Sequence, residues 1–298
     1  MNVLLATDGS EYGQWGLNWV AKLPFVKPPR VTVLHVLDIY AYRASFLAPR
    51  EIRRIEARST RILKEATQQL AELKLKGTVR KEQGMIAPMI LKRAPKRDGL
   101  LVVGSQGLDA LDRFMLGSVS TKLIHHATCP VLVVKNEAAP LRRIALATDG
   151  SSASATALEF VLTKFQPDRS TGEGVQVPIH VSVIHVMPFL KYSELKEANH
   201  KLIEQSVRKL IKAGFTAEPV YQLGNPAEKI MKGASKHHAD LIVMGAKGLG
   251  AIDRFLLGSV STRVVQHANC SVLVVRSQSK NHRSVLDRFP GVSSGVIG

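Results

Sequence analysis

Cysteines, aromatic residues, acidic residues and long apolar runs are all scarce in this sequence of 298 residues, and each shortage excludes a class of protein. Two cysteines cannot build a disulfide framework. No apolar run approaches the roughly 18 residues that a membrane-spanning helix needs. The opening residues, Met1 to Leu5, resemble a buried strand and not the basic and apolar segments of a secretion signal. We therefore expect a soluble protein of the reducing cytoplasm.

The shortage of acidic residues leaves 41 basic against 24 acidic side chains, a net charge of +17. Such an excess favours an anionic partner, which could be nucleic acid, a membrane surface or a phosphorylated ligand. The charge divides almost evenly, +9 in residues 1–140 and +8 in residues 141–298, and aromatic residues make up only 5%. A nucleic-acid module more often shows one basic patch interleaved with aromatics. Nucleic acid is therefore not the favoured partner.

The densest basic row of the sequence lies in a segment with helical periodicity. A solvated helix face explains this row more simply than a nucleic-acid footprint does. Its members are Arg50, Arg53, Arg54, Arg58 and Arg61.

The sequence repeats itself at an offset of 141 residues. Val3 to Ser10 returns as Ile144 to Ser151, and Gly104 to Thr121 returns as Gly245 to Thr262 with 13 of 18 positions identical. Solenoid units have about 20–50 residues, so a repeat of this length is a whole domain. The predicted organisation is a first domain at 1–137, a second at 141–276 and a loose tail at 277–298.

The second copy is longer than the first before its second strand. His35-Val36 matches His185-Val186 at an offset of 150, which means nine additional residues in the second copy. We assign the addition to the polar stretch from Asp168 to Gln176, whose glycines predict a surface loop.

Short apolar runs alternate with helical periodicity in each copy. Runs such as Val31–Leu37 and Val131–Val134 are continuous and rich in β-branched residues, as is typical of parallel strands buried on both faces. Between such runs, as from Ile52 to Leu73, apolar residues recur mostly at steps of three, four and seven. Alternation of strand and helix predicts a doubly wound α/β sheet.

Glycine and small polar residues follow the predicted strands, where a doubly wound sheet binds its ligands. Thr7-Asp8-Gly9 follows the first strand, and Gly104-x2-Gly107-x9-Gly117-Ser118 follows the fourth. Glycine lets backbone N–H groups approach an anion, and the N-terminus of the next helix also attracts negative charge. With the hydroxyls of Ser118 and Ser120, these parts could cradle a polyphosphate.

The pattern Gly104-x2-Gly107-x9-Gly117-Ser118 and its copy Gly245-x2-Gly248-x9-Gly258-Ser259 resemble the ATP-binding loop of the universal stress protein family. The resemblance covers nearly the whole chain and occurs twice with identical spacing. It implies two tandem, doubly wound, five-stranded parallel sheets of the adenine-nucleotide alpha-hydrolase-like type. These would pair through their last strands as an internal pseudo-dimer, and a further homodimer would be compatible with the family.

The same resemblance implies an ATP-binding protein that acts in a stress response or in signalling, with an unknown signalling partner and at most slow ATP hydrolysis. An enzyme that uses the pocket for adenylate transfer or hydrolysis remains the first alternative. A basic scaffold that associates with nucleic acid or lipid and binds no nucleotide remains the second.

Family roles carry over to the matching residues of each copy. Asp8 and Asp149 would lie near the nucleotide and the Mg²⁺ or Mn²⁺ that it carries, and would hold metal only with ATP bound. The backbone of Val36 and Val186 would recognise adenine. The other implied nucleotide-binding residues are Thr7, Gly9, Gly104, Gly107, Gly117, Ser118, Val119 and Ser120 in the first copy, and Thr148, Gly150, Gly245, Lys247, Gly248, Gly258, Ser259, Val260 and Ser261 in the second.

The two copies differ within this loop. The first has Gln106 and Asp109 where the second has Lys247 and Gly250. If these positions face the phosphates, Asp109 would repel the ligand and Lys247 would attract it, an effect of roughly 1 kcal/mol or less at exposed sites. We therefore hypothesise that the second copy binds the nucleotide more tightly.

The copies also differ before the third helix. Gly224-Asn225-Pro226-Ala227 matches a family motif, whereas Gly84-Met85-Ile86-Ala87 lacks its proline.

Simpler interpretations remain open for these residues. The glycines could serve only a tight connection between strand and helix, and Asp8-Gly9 and Asp149-Gly150 could be a helix cap and turn. His35 and His185 end an apolar strand, where a backbone carbonyl is the expected partner of each ring.

Metal and covalent chemistry have little support in the sequence. His125-His126-x-x-Cys129 and His267-x-x-Cys270 offer at most three ligands each, whereas a structural zinc site needs about four. Neither a Gly-x-Ser-x-Gly elbow nor a P-loop occurs in the chain. We therefore expect a binding protein with no catalytic residues.

Overall fold

The computed structural model describes residues 1–38, 49–96, 99–107, 116–170, 176–187, 192–248 and 257–276. The predicted tail at 277–298 therefore lies outside the described residues. In the first copy, strands and helices alternate along the chain. They are β1 (Asn2–Ala6), α1 (Glu11–Lys22), β2 (Arg30–Leu37), α2 (Pro49–Glu72), β3 (Gly77–Gln83), α3 (Ile86–Arg93), β4 (Gly99–Gly104), α4 (Ser118–His126) and β5 (Val131–Val134).

The second copy repeats this order and adds one short hairpin. Its elements are β6 (Arg143–Thr148), α5 (Ser152–Lys164), β7 (Asp168–Ser170), β8 (Gln176–Pro178), β9 (His180–Met187), α6 (Tyr192–Lys212), β10 (Thr216–Leu223), α7 (Pro226–Lys236), β11 (Leu241–Gly245), α8 (Ser259–His267) and β12 (Ser271–Val275).

The hairpin corrects the loop predicted at the insertion. β7 and β8 pair antiparallel, with Asp168 opposite Pro178 and Ser170 opposite Gln176. The inserted residues lie where the sequence comparison puts them, but their ends form strands and not an irregular loop. The pairing has a physical reason, because the backbone N–H and C=O groups of the two strands satisfy one another. The side-chain composition of a segment does not show whether its backbone will pair in this way.

The ten longer strands form one sheet in the order β10-β9-β6-β11-β12-β5-β4-β1-β2-β3. Within each half all neighbouring strands are parallel. The halves meet where β5 pairs antiparallel with β12, and Leu132 lies opposite Leu273 in that ladder. These leucines occupy equivalent positions of the repeat, so an approximate twofold axis passes between them. The predicted pair of doubly wound sheets joined through their last strands is confirmed.

Helices cover both faces of the sheet, which explains the continuous apolar strands. Val3 packs in an apolar cluster with Leu17 of α1, whereas its neighbour Leu4 packs in the cluster on the other face with Ile90 of α3. Each main cluster continues through both halves of the chain. The carboxyl ends of β1 and β4, which are neighbours in the sheet, place the turn after β1 beside the glycine loop after β4.

Candidate functional site

The turn after β1 is built by residues of the first predicted motif. Gly9 has a φ of +83°, a conformation that glycine adopts without strain. Its N–H donates to Oγ1 of Thr7 at 3.1 Å, and the N–H of Ser10 donates to Oδ1 of Asp8 at 3.0 Å. Ser10, and not Asp8, is the N-cap residue of α1. The turn therefore fixes the carboxylate of Asp8 at the carboxyl edge of the sheet.

The glycine loop after β4 lies directly against this carboxylate. A Cβ at position 107 would lie 2.6 Å from Oδ2 of Asp8, and a Cβ at position 104 would lie 2.6 Å from Cβ of Tyr12. Atoms that close would collide, so position 104 needs glycine, whereas a side chain at position 107 would displace the carboxylate of Asp8. The sequence places Asp8 and Gly107 almost a hundred residues apart, and the fold brings them into contact.

The start of α4 closes the same loop. The N–H of Gly117 donates to the carbonyl oxygen of Ser105 at 2.8 Å. Ser118 is exposed, Val119 is half-buried, and Ser120 is buried with its hydroxyl donating to the carbonyl oxygen of Gly104 at 2.7 Å. The hydroxyl proton of Ser120 is therefore already used in a hydrogen bond within the protein. The hydroxyl at the start of α4 that faces solvent is that of Ser118.

The second half repeats this geometry. Gly150 has a φ of +79°. The N–H of Ser151 donates to Oδ1 of Asp149 at 3.0 Å. A Cβ at position 248 would lie 2.4 Å from Oδ2 of Asp149. The same approach of a carboxylate to a loop glycine occurs in both halves, so we do not regard it as accidental.

The start of α8 in the second half matches the start of α4. The N–H of Gly258 donates to the carbonyl oxygen of Ala246 at 2.8 Å, and the hydroxyl of Ser261 donates to that of Gly245 at 3.0 Å. Ser259 is exposed and Val260 is half-buried.

Two buried histidines connect the neighbouring strand to the Asp-bearing turn. Nδ1 of His35 donates to the carbonyl oxygen of Thr7 at 2.9 Å, and Nδ1 of His185 donates to that of Thr148 at 2.9 Å. Burial lowers the pKa of His35 below its usual value, so the ring is neutral near pH 7. The backbone partner expected for each histidine is confirmed.

The two valines that follow these histidines lie near the carboxyl ends of β2 and β9. The side chains of Val36 and Val186 are buried, at 7% and 9% exposure. A role for them in binding would therefore fall to the backbone, as the resemblance implies. The structure places both valines one strand away from the aspartates of their own halves.

The structure describes one of the two positions at which the glycine loops were predicted to differ in charge. Gln106 is buried, and the equivalent Lys247 is half-buried beside the exposed Gly248. Asp109 and Gly250, the other two positions of the contrast, lie outside the described residues. At the described position, the second loop therefore has a cation, Lys247, where the first loop has the neutral Gln106.

One pair of equivalent positions at the site, Gly13 and Ser154, was not predicted from the sequence. A Cβ at Gly13 would lie 2.3 Å from Oγ1 of Thr7, so the lack of a side chain there lets α1 lie close to this hydroxyl. The equivalent residue of the second copy is Ser154, and Oγ1 of Thr148 donates to its Oγ at 3.2 Å. The signal available in the sequence was a small residue at the same distance from the aspartate in both copies.

A cavity of about 410 Å³ lies between α1 and α2 and shares Thr7 and Gly9 with this site. Its lining includes Leu17 and Ile62 but none of the glycine-loop residues. It therefore contributes nothing to the case for a phosphate cradle.

The two cysteines of the Cys and His clusters are free thiols. Cys129 is buried, and burial raises the pKa of its thiol to about 11. Desolvation likewise raises the pKa of the Cys270 thiol to about 11. Across the ranges that the structure describes, no three His, Cys, Asp or Glu side chains are arranged to hold a metal ion. The high pKa keeps both thiols protonated at neutral pH.

The family model that describes the universal stress protein family matches residues 1–135 and 140–276. A universal stress protein of Mycolicibacterium smegmatis is 29% identical over 300 residues, which cover 92% of this chain and 96% of the relative. One of Mycobacterium tuberculosis strain H37Rv is 29% identical over 304 residues with the same coverage. The crystal structure of a universal stress protein from Archaeoglobus fulgidus has a TM-score of 0.68 at 23% identity, and the match covers 93% of this chain and 98% of that chain.

Proposed function

Since this chain belongs to the universal stress protein family, we propose that it acts in a stress response by binding ATP in each of its two halves. The nucleotide would carry Mg²⁺ or Mn²⁺. The observation that supports this proposal is the contact between an aspartate and a loop glycine, Asp8 with Gly107 and Asp149 with Gly248. A cradle that a Cβ would fill is the form that backbone recognition of phosphate requires.

The residues present fit the group. Backbone N–H groups of the glycine loop would donate to phosphate oxygens, and the N-terminus of α4 or α8 would favour their charge. The exposed hydroxyls of Ser118 and Ser259 would add one donor each. Asp8 and Asp149 would supply hard oxygen ligands to the divalent cation of the nucleotide, the ligand type that Mg²⁺ prefers. When bound, ATP would supply a polyphosphate whose charge these groups and the cation neutralise.

The proposal includes little turnover. Hydrolysis needs a group that takes a proton from the attacking water, within hydrogen-bond reach of it. Among the predicted site residues in the described ranges, only the two aspartates have a carboxylate that could take this proton. Each carboxylate already accepts a hydrogen bond from a backbone N–H of its own turn. We expect hydrolysis to be slow, so the protein would act through its nucleotide-bound state.

A cytoplasmic location also belongs to this proposal. Cys129 and Cys270 are not joined in a disulfide, as is usual in a reducing compartment. In the described part of the chain, no helix has the combination of length and apolarity needed to cross a membrane.

Mass spectrometry of the gently purified protein, followed by calorimetric titration with Mg-ATP, tests the function. We expect intact ATP to co-purify, and about two binding sites per chain after it is removed. Steady release of product would instead favour the adenylate-using enzyme. Absence of nucleotide, together with salt-sensitive DNA binding, would favour the basic scaffold.

A further inference from the structure

A second cavity lies at the amino ends of β1, β2 and β3, at the edge of the sheet opposite to the glycine loop. Its volume is about 600 Å³, within the range of small-molecule sites. Four basic side chains line it, and all four are exposed: Arg30, Lys76, Arg80 and Arg93. None of these residues takes part in the proposed nucleotide site.

The register of the strands arranges these cations in two groups. Val31 pairs with Gly77, so Arg30 and Lys76, one residue earlier on each strand, are neighbours. Arg80 lies opposite Leu34, four residues further along. Side chains two residues apart share a face of a strand, and four residues span about 13 Å. The cavity therefore has a cationic group at each end of its floor.

The floor of the cavity between the two cationic groups has both polar and apolar side chains. Thr32 and Thr78 are paired in the ladder and line the cavity with their neighbour Leu4. Two hydroxyls thus stand between the cationic ends, where they could hydrogen-bond the middle of a ligand.

The end of α3 borders the cavity, and Arg93 and Pro95 line it. α3 ends at Arg93, and Pro95 follows two residues later. The residue before a proline is disfavoured in the helical conformation, so the helix stops there. The equivalent α7 continues to Lys236 and leads to His237, which contacts Glu218 at 2.9 Å. In the first half, the corresponding face of the sheet is left open.

The cations of the first half are largely free of acidic partners. Arg93 pairs with Glu82 at 2.5 Å, which holds its guanidinium over β3. Among the residues that the structure describes, no carboxylate lies within 4.0 Å of Arg30, Lys76 or Arg80. Neighbouring cations without counter-charges repel one another, and an anionic ligand would relieve that repulsion.

The second half lacks this chemistry at the same place. Its register places His180, Thr216 and Val220 at the positions of Arg30, Lys76 and Arg80. Glu218 takes the position of Thr78, and Ser182 and His180 hydrogen-bond to it. The accumulation of positive charge is therefore a property of one copy, not of the fold.

We propose that this cavity binds a small organic molecule with a phosphate group at each end. Arg30 and Lys76 hold one phosphate, and Arg80 and Arg93 hold the other. Guanidinium groups suit this role because their N–H donors match phosphate oxygens in pairs. The threonine hydroxyls contact the polar middle of the molecule. A single phosphate engages only one end of the cavity and binds more weakly.

Calorimetric titration at fixed ionic strength tests the site with fructose 1,6-bisphosphate and inorganic phosphate as probes. We expect the bisphosphate to bind at least tenfold more tightly than inorganic phosphate. The pair Arg30→Gln and Arg80→Gln should weaken bisphosphate binding at least tenfold. The control pair Arg53→Gln and Arg54→Gln removes the same charge from exposed positions on α2 and should change it less than twofold. Melting curves of all variants verify folding.

Several outcomes would overturn the proposal. These are no bisphosphate binding at millimolar concentration, equal weakening by both pairs of substitutions, and equal affinity for the two probes. Binding of a short DNA duplex that depends on Arg30 and Arg80, without bisphosphate binding, would assign the surface to nucleic acid instead.

The site is independent of the proposed ATP sites, and a further variant separates them. The double variant Gly107→Val and Gly248→Val should retain bisphosphate binding while it loses ATP. Loss of both ligands in this variant would place the bisphosphate in the nucleotide loops and would also overturn the proposal.

Discussion

Lys135 and Arg276 occupy equivalent places in the two halves, and each donates hydrogen bonds to the end of the other half's final helix. Nζ of Lys135, just after β5, donates to the carbonyl oxygens of Gln266 at 3.0 Å and Ala268 at 2.8 Å, at the end of α8. The guanidinium of Arg276, just after β12, donates to the carbonyl oxygen of Ile124 in α4. A cation there satisfies terminal carbonyls and complements the helix dipole. The two halves therefore share a reciprocal contact beyond the paired strands.

Replacement of Lys135 with methionine tests this contact. Burial lowers the pKa of Lys135 from 10.5 to about 8, so between these values the unfolded chain binds more protons than the folded one. The free energy of unfolding contributed by Lys135 therefore rises with pH through this window and is lost as the pH falls through 8. Urea denaturation from pH 7 to 10.5 should show this rise in the wild type and a shallower one in Lys135→Met.

At pH 7, Lys135→Met leaves two carbonyls without their donor, which costs about 1–2 kcal/mol. It also removes a charge that burial disfavours, so the net loss of stability should be smaller than this cost. Lys122→Met, on the exposed face of α4, is the matched control and should leave both stability and slope unchanged. Parallel pH profiles for wild type and Lys135→Met would contradict the assignment.

Gly9→Ala should destabilise the fold by about 1–3 kcal/mol, because a side chain at a φ of +83° is strained. The added Cβ would also lie 2.6 Å from Cγ1 of Ile62. Gly117→Ala is the control, since the nearest atom to its Cβ is 3.5 Å away, and its stability should change by less than about 0.5 kcal/mol. Thermal denaturation measures both, and equal losses would show that the turn tolerates a side chain.

Gly107→Val and Gly248→Val should each abolish one ATP site without unfolding the protein. The colliding atom is the end of an aspartate side chain, which can move away, but the carboxylate then leaves its place beside the loop. Calorimetry with Mg-ATP should find one site remaining in each variant. The hypothesis of a tighter second half predicts the larger loss of affinity in Gly248→Val, and equal losses would remove it.

Lys247→Gln should weaken ATP binding by about fivefold or less, as a half-exposed cation contributes roughly 1 kcal/mol or less. The change converts the position to the residue type of the first half, Gln106. Lys232→Gln, an exposed position on α7, removes the same charge away from the loop. An equal effect in the two variants would show that only the overall charge matters.

His35→Asn should reduce the loss of stability on acidification from pH 7.5 to 5. The lowered pKa of His35 means that its neutral ring stabilises the fold above pH 6.5, and this contribution is lost as the pH falls through the folded value. Asparagine keeps a donor for the carbonyl oxygen of Thr7 but does not titrate. His238→Asn, at an exposed position, should retain the acid dependence of the wild type, as should His35→Asn if the ring does not contribute.

Much of the fold could be predicted because its signals are local or repeated. The apolar run of Val131–Val134 reads as a buried strand by itself, and the offset of 141 residues identifies Val272–Val275 as its counterpart. The hairpin at the insertion could not be predicted, because the pairing of Asp168 with Pro178 depends on backbone geometry that a polar sequence does not encode.

The sequence by itself determined the duplication, the alternation of strands and helices, and which glycines and aspartates follow the strands, because periodicity and repetition need no knowledge of distant contacts. Only the tertiary structure decided that Asp8 lies against Gly107, because strand order brings separate loops together. It also decided that the excess charge is not evenly distributed in space. Strand register gathers Arg30, Lys76 and Arg80 around an open face in one half alone, although both halves have almost the same net charge.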